Sequence, residues 1–184
     1  MASSKLVRGG AVGAVVAAAG YVAMFALEMT MPGALERPLL NVPVIVGLAG
    51  TLRAIGGLHA LQRGSYGRLG AVGFWVASVG SLVALAGIVI LVATDPASST
   101  DIDDVGLIGS ILGRNVSLIG FALLGIATVQ ARLLPRWCGW LIAVGLPISM
   151  LVVPFIGEGI VWTLVGYVLL RAGVRRPREP SHVR

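Results

Sequence analysis

The stretch WCGWLIAVGLPISMLVVPFIGEGIVWTLVGYVLL, Trp137 to Leu170, decides the fold. It holds 34 residues and one charge, Glu158. A single helix of that length would measure about 51 Å, whereas a hydrocarbon core of about 30 Å needs about 20 residues. Two spans would each sit near the lower limit of about 17 residues. A break is offered by VVPFIGEG (Val152–Gly159), where Pro154, Gly157 and Gly159 surround the charge. Proline and glycine together punctuate helices.

Upstream, four further apolar segments precede this one. Gly9 to Leu27 carries no charge, and Val42 to Leu61 carries only Arg53 and His59. Leu69 to Thr94 is uncharged, and Val105 to Gln130 carries only Arg114. The whole chain of 184 residues is 57% hydrophobic and 12% charged, with a mean hydropathy of +0.93. A soluble domain is about 45–50% apolar and about 25% charged, so too few charges are present to wet a globule. Intrinsic disorder is excluded too, since it requires low hydrophobicity. The composition defines an integral membrane protein.

Charge position settles the number of spans. Lys and Arg concentrate in cytoplasmic segments. Lys5 and Arg8 precede the first span, Arg63 and Arg68 follow the second, and Arg132 and Arg136 follow the fourth. The tail holds Arg171, Arg175, Arg176, Arg178 and Arg184. The alternate connections are acidic, with Glu36 in one and Asp95, Asp101, Asp103 and Asp104 in another. Both termini therefore fall on the cytoplasmic side, and the number of spans is even. The reading is an all-α, polytopic transmembrane bundle of six helices. Its spans are expected at about 10–30, 42–61, 69–93, 105–129, 137–153 and 156–170, followed by a basic, disordered, lipid-facing tail at 171–184. The alternative is five spans with a long tilted last helix, which would export the most basic part of the chain. The first segment could also be a secretory signal, but Tyr21 and Met24 stand where a cleavage site needs small residues, which favours a retained helix.

The net charge of +6 then becomes an orientation signal. Eleven of the fourteen cations lie in the segments just assigned to the cytoplasmic side, against anionic lipid headgroups. Nucleic acid is not an expected partner. Thirteen arginines against one lysine, with much Ala, Gly and Val, suggest a bacterial gene of high GC content. The implied location is the inner (plasma) membrane.

In lipid, close backbone approach through small residues drives helix packing. GGAVG (Gly9–Gly13) and GSILG (Gly109–Gly113) have that pattern, and Gly73, Ala77 and Ser81 recur at four-residue spacing. These are expected to pack within the bundle; oligomerisation stays open. Trp137 and Trp140 are expected at the inner interface and Trp162 toward the outer one. A tandem echo aligns Gln62 with Gln130 and Arg68 with Arg136. Shared topology explains it as well as a repeat of hairpins does. The stretch LPRWCGWL (Leu134–Leu141) resembles one found in small, uncharacterised multi-span bacterial membrane proteins. The likeness covers the last two hairpins. It implies a helical membrane fold and brings no activity and no functional residues.

Ionisable groups within spans are functional candidates by default. Arg53 and Arg114 lie at similar depth, each with small or polar neighbours at helical spacing. Ser110, Ser117 and Asn115 accompany Arg114. The acids available to them are Glu28 and Glu158. The expectation is one polar pocket, or a set of buried ion pairs, formed by Arg53, Arg114, Asn115, Glu28 and Glu158. Unpaired, the two arginines would suit a carboxylate or phosphate. His59, off the Arg53 face, is a secondary candidate, expected as a hydrogen-bonded packing residue. One in-span histidine cannot make a bis-histidine haem site or a usual zinc site, and Cys138 cannot form an intramolecular disulfide. No catalytic residue, cofactor or metal site is expected, and no nucleotide or hydrolase motif occurs. The function expected is a non-catalytic interaction or envelope component, or alternatively a permease-like protein binding a small anion or lipid headgroup around Arg53 and Arg114.

Overall fold

Helices form every regular element of the computed structural model; no strand occurs among the described residues. The structure describes residues 4–33, 37–94 and 101–174. Helix α1 is Ser4–Thr30, α2 Val42–Gln62, α3 Gly67–Ala93 and α4 Asp101–Ala131. A 3-10 turn at Pro38–Asn41 leads into α2. Helix α5 is Arg136–Val152 and α6 is Ile156–Val174. Helices α1 to α4 are long and apolar enough to cross a membrane. Glu36, Asp95 and residues 175–184, which include His182, lie outside the described residues. The expected disordered tail is partly helical, because α6 continues through Arg171 to Val174.

The last apolar stretch is two helices, not one. Helix α5 ends where the Val153 N–H reaches the Ser149 carbonyl, and α6 starts where the Gly159 N–H reaches the Phe155 carbonyl. Between them Phe155 adopts φ +68°, a left-handed conformation rare for a bulky side chain. Gly157 lets the returning chain lie against Ser149, where an added Cβ would come within 2.4 Å of the Ser149 Cβ. Within α5, Leu141–Gly145 is wound as a π-helix. Pro147 lacks the N–H that would bond the Ala143 carbonyl, so the ladder loosens there.

Each helix packs on the next in sequence, and α6 closes on α1. The ring is antiparallel throughout its main seams. Gly10 meets Gly57 and Gly20 meets Gly47 between α1 and α2. Gly73 meets Leu124, Gly80 meets Ser117 and Gly87 meets Ser110 between α3 and α4. Gly159 meets Val22 and Gly166 meets Ala14 between α6 and α1. The small-residue patterns thus serve contact inside the bundle. Lipid offers no hydrophobic drive between helices, so these seams depend on backbone proximity.

Large side chains fill the centre. Met24, Ile55, Leu58, Phe121, Leu124 and Trp162 are all fully buried. Leu151, Ile119 and Trp75, by contrast, are 75%, 61% and 64% exposed. An apolar exterior around an apolar core is what lipid as solvent allows. Trp137 and Trp140 lie outward, but Trp162 is 1% exposed and packs edge-on to Phe121 at 6.0 Å. It is a core residue, which corrects its expected place at the outer interface. The tandem echo also fails in burial: Gln62 is fully buried while Gln130 is exposed.

The Thr128 hydroxyl, shared with the Leu124 carbonyl at 2.8 Å, reaches the Gln62 side-chain oxygen at 3.1 Å and ties α4 to α2 in the dry interior. Thr128→Val would leave that buried amide without its partner. The expected loss is about 1 kcal/mol, read from denaturant unfolding in micelles; an unchanged midpoint would show that water replaces the contact.

Candidate functional site

A cavity of about 150 Å³ lies between all six helices, toward the end of the ring that carries the α1–α2, α3–α4 and α5–α6 connections. Its polar groups come from five of them: Tyr21 on α1, Thr51 on α2, Ser81 on α3, Ser110, Arg114 and Ser117 on α4, and Glu158 on α6. Val44, Leu48, Ile88, Phe121 and Met150 supply the apolar walls. Helical periodicity explains the convergence on α1 and α4. Tyr21 stands one and two turns from Ala17 and Ala14 on the buried face of α1, and Arg114 shares its face with Ser110 and Ser117.

The Arg114 guanidinium donates to Glu158 Oε1 at 2.7 Å, across 44 residues of sequence. The two partners differ sharply in environment. The Glu158 side chain is 1% exposed, the Arg114 side chain 36%. The charge pair is therefore sealed at the acid and open at the base. The α5–α6 turn fixes it from below. Phe155, held in its left-handed conformation, places its ring 5.8 Å from the Arg114 guanidinium carbon, within cation–π range. Strained backbone at a bulky buried residue persists only where its surroundings over-determine it. Here one turn places both the carboxylate and the ring against Arg114.

The hydroxyls around the pair are mostly committed. Tyr21 and Thr51 share a hydrogen bond at 3.3 Å, and Tyr21 also interacts with Glu158. Ser117 donates to the Arg114 carbonyl at 2.7 Å and Ser110 to the Leu107 carbonyl at 2.8 Å. Ser81 is the exception. It is 1% exposed, lines the cavity and has no hydrogen-bond partner. A buried unsatisfied hydroxyl calls for an unseen water or ligand.

Of the residues expected to share this pocket, only Arg114 and Glu158 do. Arg53 is exposed on the α1–α2 seam, where its Nε donates to the Gly9 carbonyl at 3.2 Å. Its small neighbours, Gly50 and Gly57, mark the seam with α1 and not the wall of the central cavity. Glu28 accepts from the Gly33 N–H at 3.1 Å at the end of α1. Asn115 is exposed and donates to the Ile111 carbonyl of its own helix at 2.8 Å. The two arginines thus face different parts of the molecule, and the pocket with both of them is corrected to one with Arg114 alone.

His59 is engaged locally. Its ring stacks on Phe74 at 4.0 Å, and its Nδ1 contacts the Tyr66 hydroxyl. Burial pushes the Tyr66 phenol above its usual range, so it remains neutral at ordinary pH. Cys138 is fully buried in the core. Tyr21, Thr51 and Phe155 complete the site, and the sequence does not mark Thr51 or Phe155 for it. Tyr21 alone carried a signal, as the one polar-tipped side chain on an alanine-rich face. No known protein family, curated protein or solved structure matches the chain.

Proposed function

We propose that this chain is a six-span plasma-membrane protein with both termini on the cytoplasmic side, and that it binds a small, net-neutral polar molecule without catalysis. The observation that carries the binding reading is the unpartnered Ser81 hydroxyl lining a cavity whose only charges, among the described residues, are a matched pair. Glu158 neutralises Arg114, so the cavity offers no net positive charge to a simple anion. A zwitterion or an uncharged polar group fits this arrangement better. The carboxylate would meet the exposed side of the Arg114 guanidinium, and Ser81 would supply a further hydrogen bond. About 150 Å³ holds several waters or one small molecule. The antiparallel ring supports six spans, and the distribution of arginines supports the orientation.

The test is a thermal-shift series on the purified protein in detergent, with glycine betaine and alanine as zwitterion probes and acetate as the anionic control. Binding to the folded state at a hundredfold excess over Kd stabilises by about 2.7 kcal/mol. The expected result is a shift with a zwitterion, none with acetate, and loss of the shift in Ser81→Leu. A shift with acetate alone would restore the anion reading. No shift with any probe, and no small molecule released from the purified protein on denaturation, would make the pair a structural bridge.

A further inference from the structure

A second recess lies on the α1–α2 seam, away from the central cavity. It is lined by Lys5 and Arg53 over Gly9, Gly10, Gly56 and Gly57. Its two charged residues are both cations. Among the described residues no carboxylate lies within ion-pair distance of either. We infer that this recess binds a phosphate group, as carried by the headgroup of an anionic phospholipid.

Three features carry the inference. The first is the pose of Arg53. Its Cβ sits against Gly13, and its guanidinium lies one turn further toward the start of α1, with its Nε–Nη2 edge toward Gly9. Its Nε is spent on the Gly9 carbonyl, which leaves the terminal nitrogens free to grip a phosphate. The second is depth. Helix α1 has 27 residues, about 40 Å, against a hydrocarbon core of about 30 Å, so each end projects about 5 Å. The guanidinium, level with Gly9, falls about 7 Å below the start of α1, near the hydrocarbon boundary. Arginine side chains reach for that boundary, where lipid phosphates begin. The third is the floor. A Cβ added at Gly56 would meet nothing within 4 Å, so the recess there is open space. Basic recesses between spans at the cytoplasmic side are the recurring form of anionic-lipid sites.

The experiment uses the full chain in nanodiscs of equimolar phosphatidylcholine and phosphatidylglycerol, followed by native mass spectrometry of the retained lipid. Wild type should keep phosphatidylglycerol in preference to phosphatidylcholine. Lys5→Gln with Arg53→Gln should weaken that retention about tenfold, equivalent to about 1.4 kcal/mol. Gly56→Leu should weaken it to a similar extent by filling the recess, with an unfolding midpoint that is unchanged or raised, since its new Cβ meets open space and leucine favours the helix over glycine. Adding inorganic phosphate separates the sources. Undiminished lipid retention identifies the headgroup, whereas displacement identifies free phosphate as the ligand. Equal retention in wild type, the double variant and Gly56→Leu would overturn the inference.

Discussion

Arg114→Ala is expected to lower stability by about 3 kcal/mol, and Glu158→Leu by distinctly less. The asymmetry follows from the exposures of 1% for the acid and 36% for the base. Removing Arg114 strands a buried carboxylate without its cation. Removing Glu158 leaves a guanidinium that already reaches the surface and can turn further outward. Breaking a buried pair costs about 3–5 kcal/mol, and the low end applies because one partner is partly open. The double variant Arg114→Met with Glu158→Leu should recover most of the loss, since an apolar replacement of both partners is often neutral. Denaturant unfolding in mixed micelles measures all four forms. Equal losses in the two single variants would mean that water reaches Glu158, contrary to the sealed geometry.

Gly113→Val is expected to cost about 3 kcal/mol, the upper part of the usual range for overpacking. A Cβ at Gly113 would stand 2.2 Å from the Ala84 nitrogen, and backbone cannot swing aside as a side chain can. Helices α3 and α4 would have to separate along their seam. Gly109 belongs to the same GSILG pattern, yet its nearest neighbour for an added Cβ is the Gly87 Cα at 3.7 Å, an ordinary contact. Gly109→Ala should therefore be neutral, or stabilising by up to about 1 kcal/mol through helix propensity. The pair of variants, compared by thermal unfolding, separates seam packing from helix propensity. Equal behaviour of the two would show that the seam adjusts freely.

Both results depend on distinctions that residue type alone does not make. Arg53 and Arg114 have alike surroundings in sequence, with small residues three and four positions away. Small residues mark closeness to another helix, and closeness occurs on a seam as well as at a cavity wall. Arg53 stands on the seam and its long side chain leaves by the edge. Arg114 stands where α6 turns back and meets a carboxylate. Trp162 misleads in the same manner, since interface and core both take tryptophan and only Phe121 across the bundle decides between them.

Local features of the chain set the class of protein and the positions of the helices. Apolar runs, the Pro154–Gly157 break and the alternation of charge are local properties, and the bilayer reads them locally through length and desolvation. Tertiary structure alone decided which groups meet. The Arg114–Glu158 pair spans 44 residues and two intervening turns, and the cavity draws on six helices. Side-chain partnership at that range is set by how the ring closes and by which face each glycine seam turns inward. No period along a single helix encodes it. The stretch from Trp137 to Leu170 shows both levels. Its proline and glycines announce a turn, but only the folded ring shows that the turn holds Phe155 in a strained conformation and sets Glu158 against Arg114.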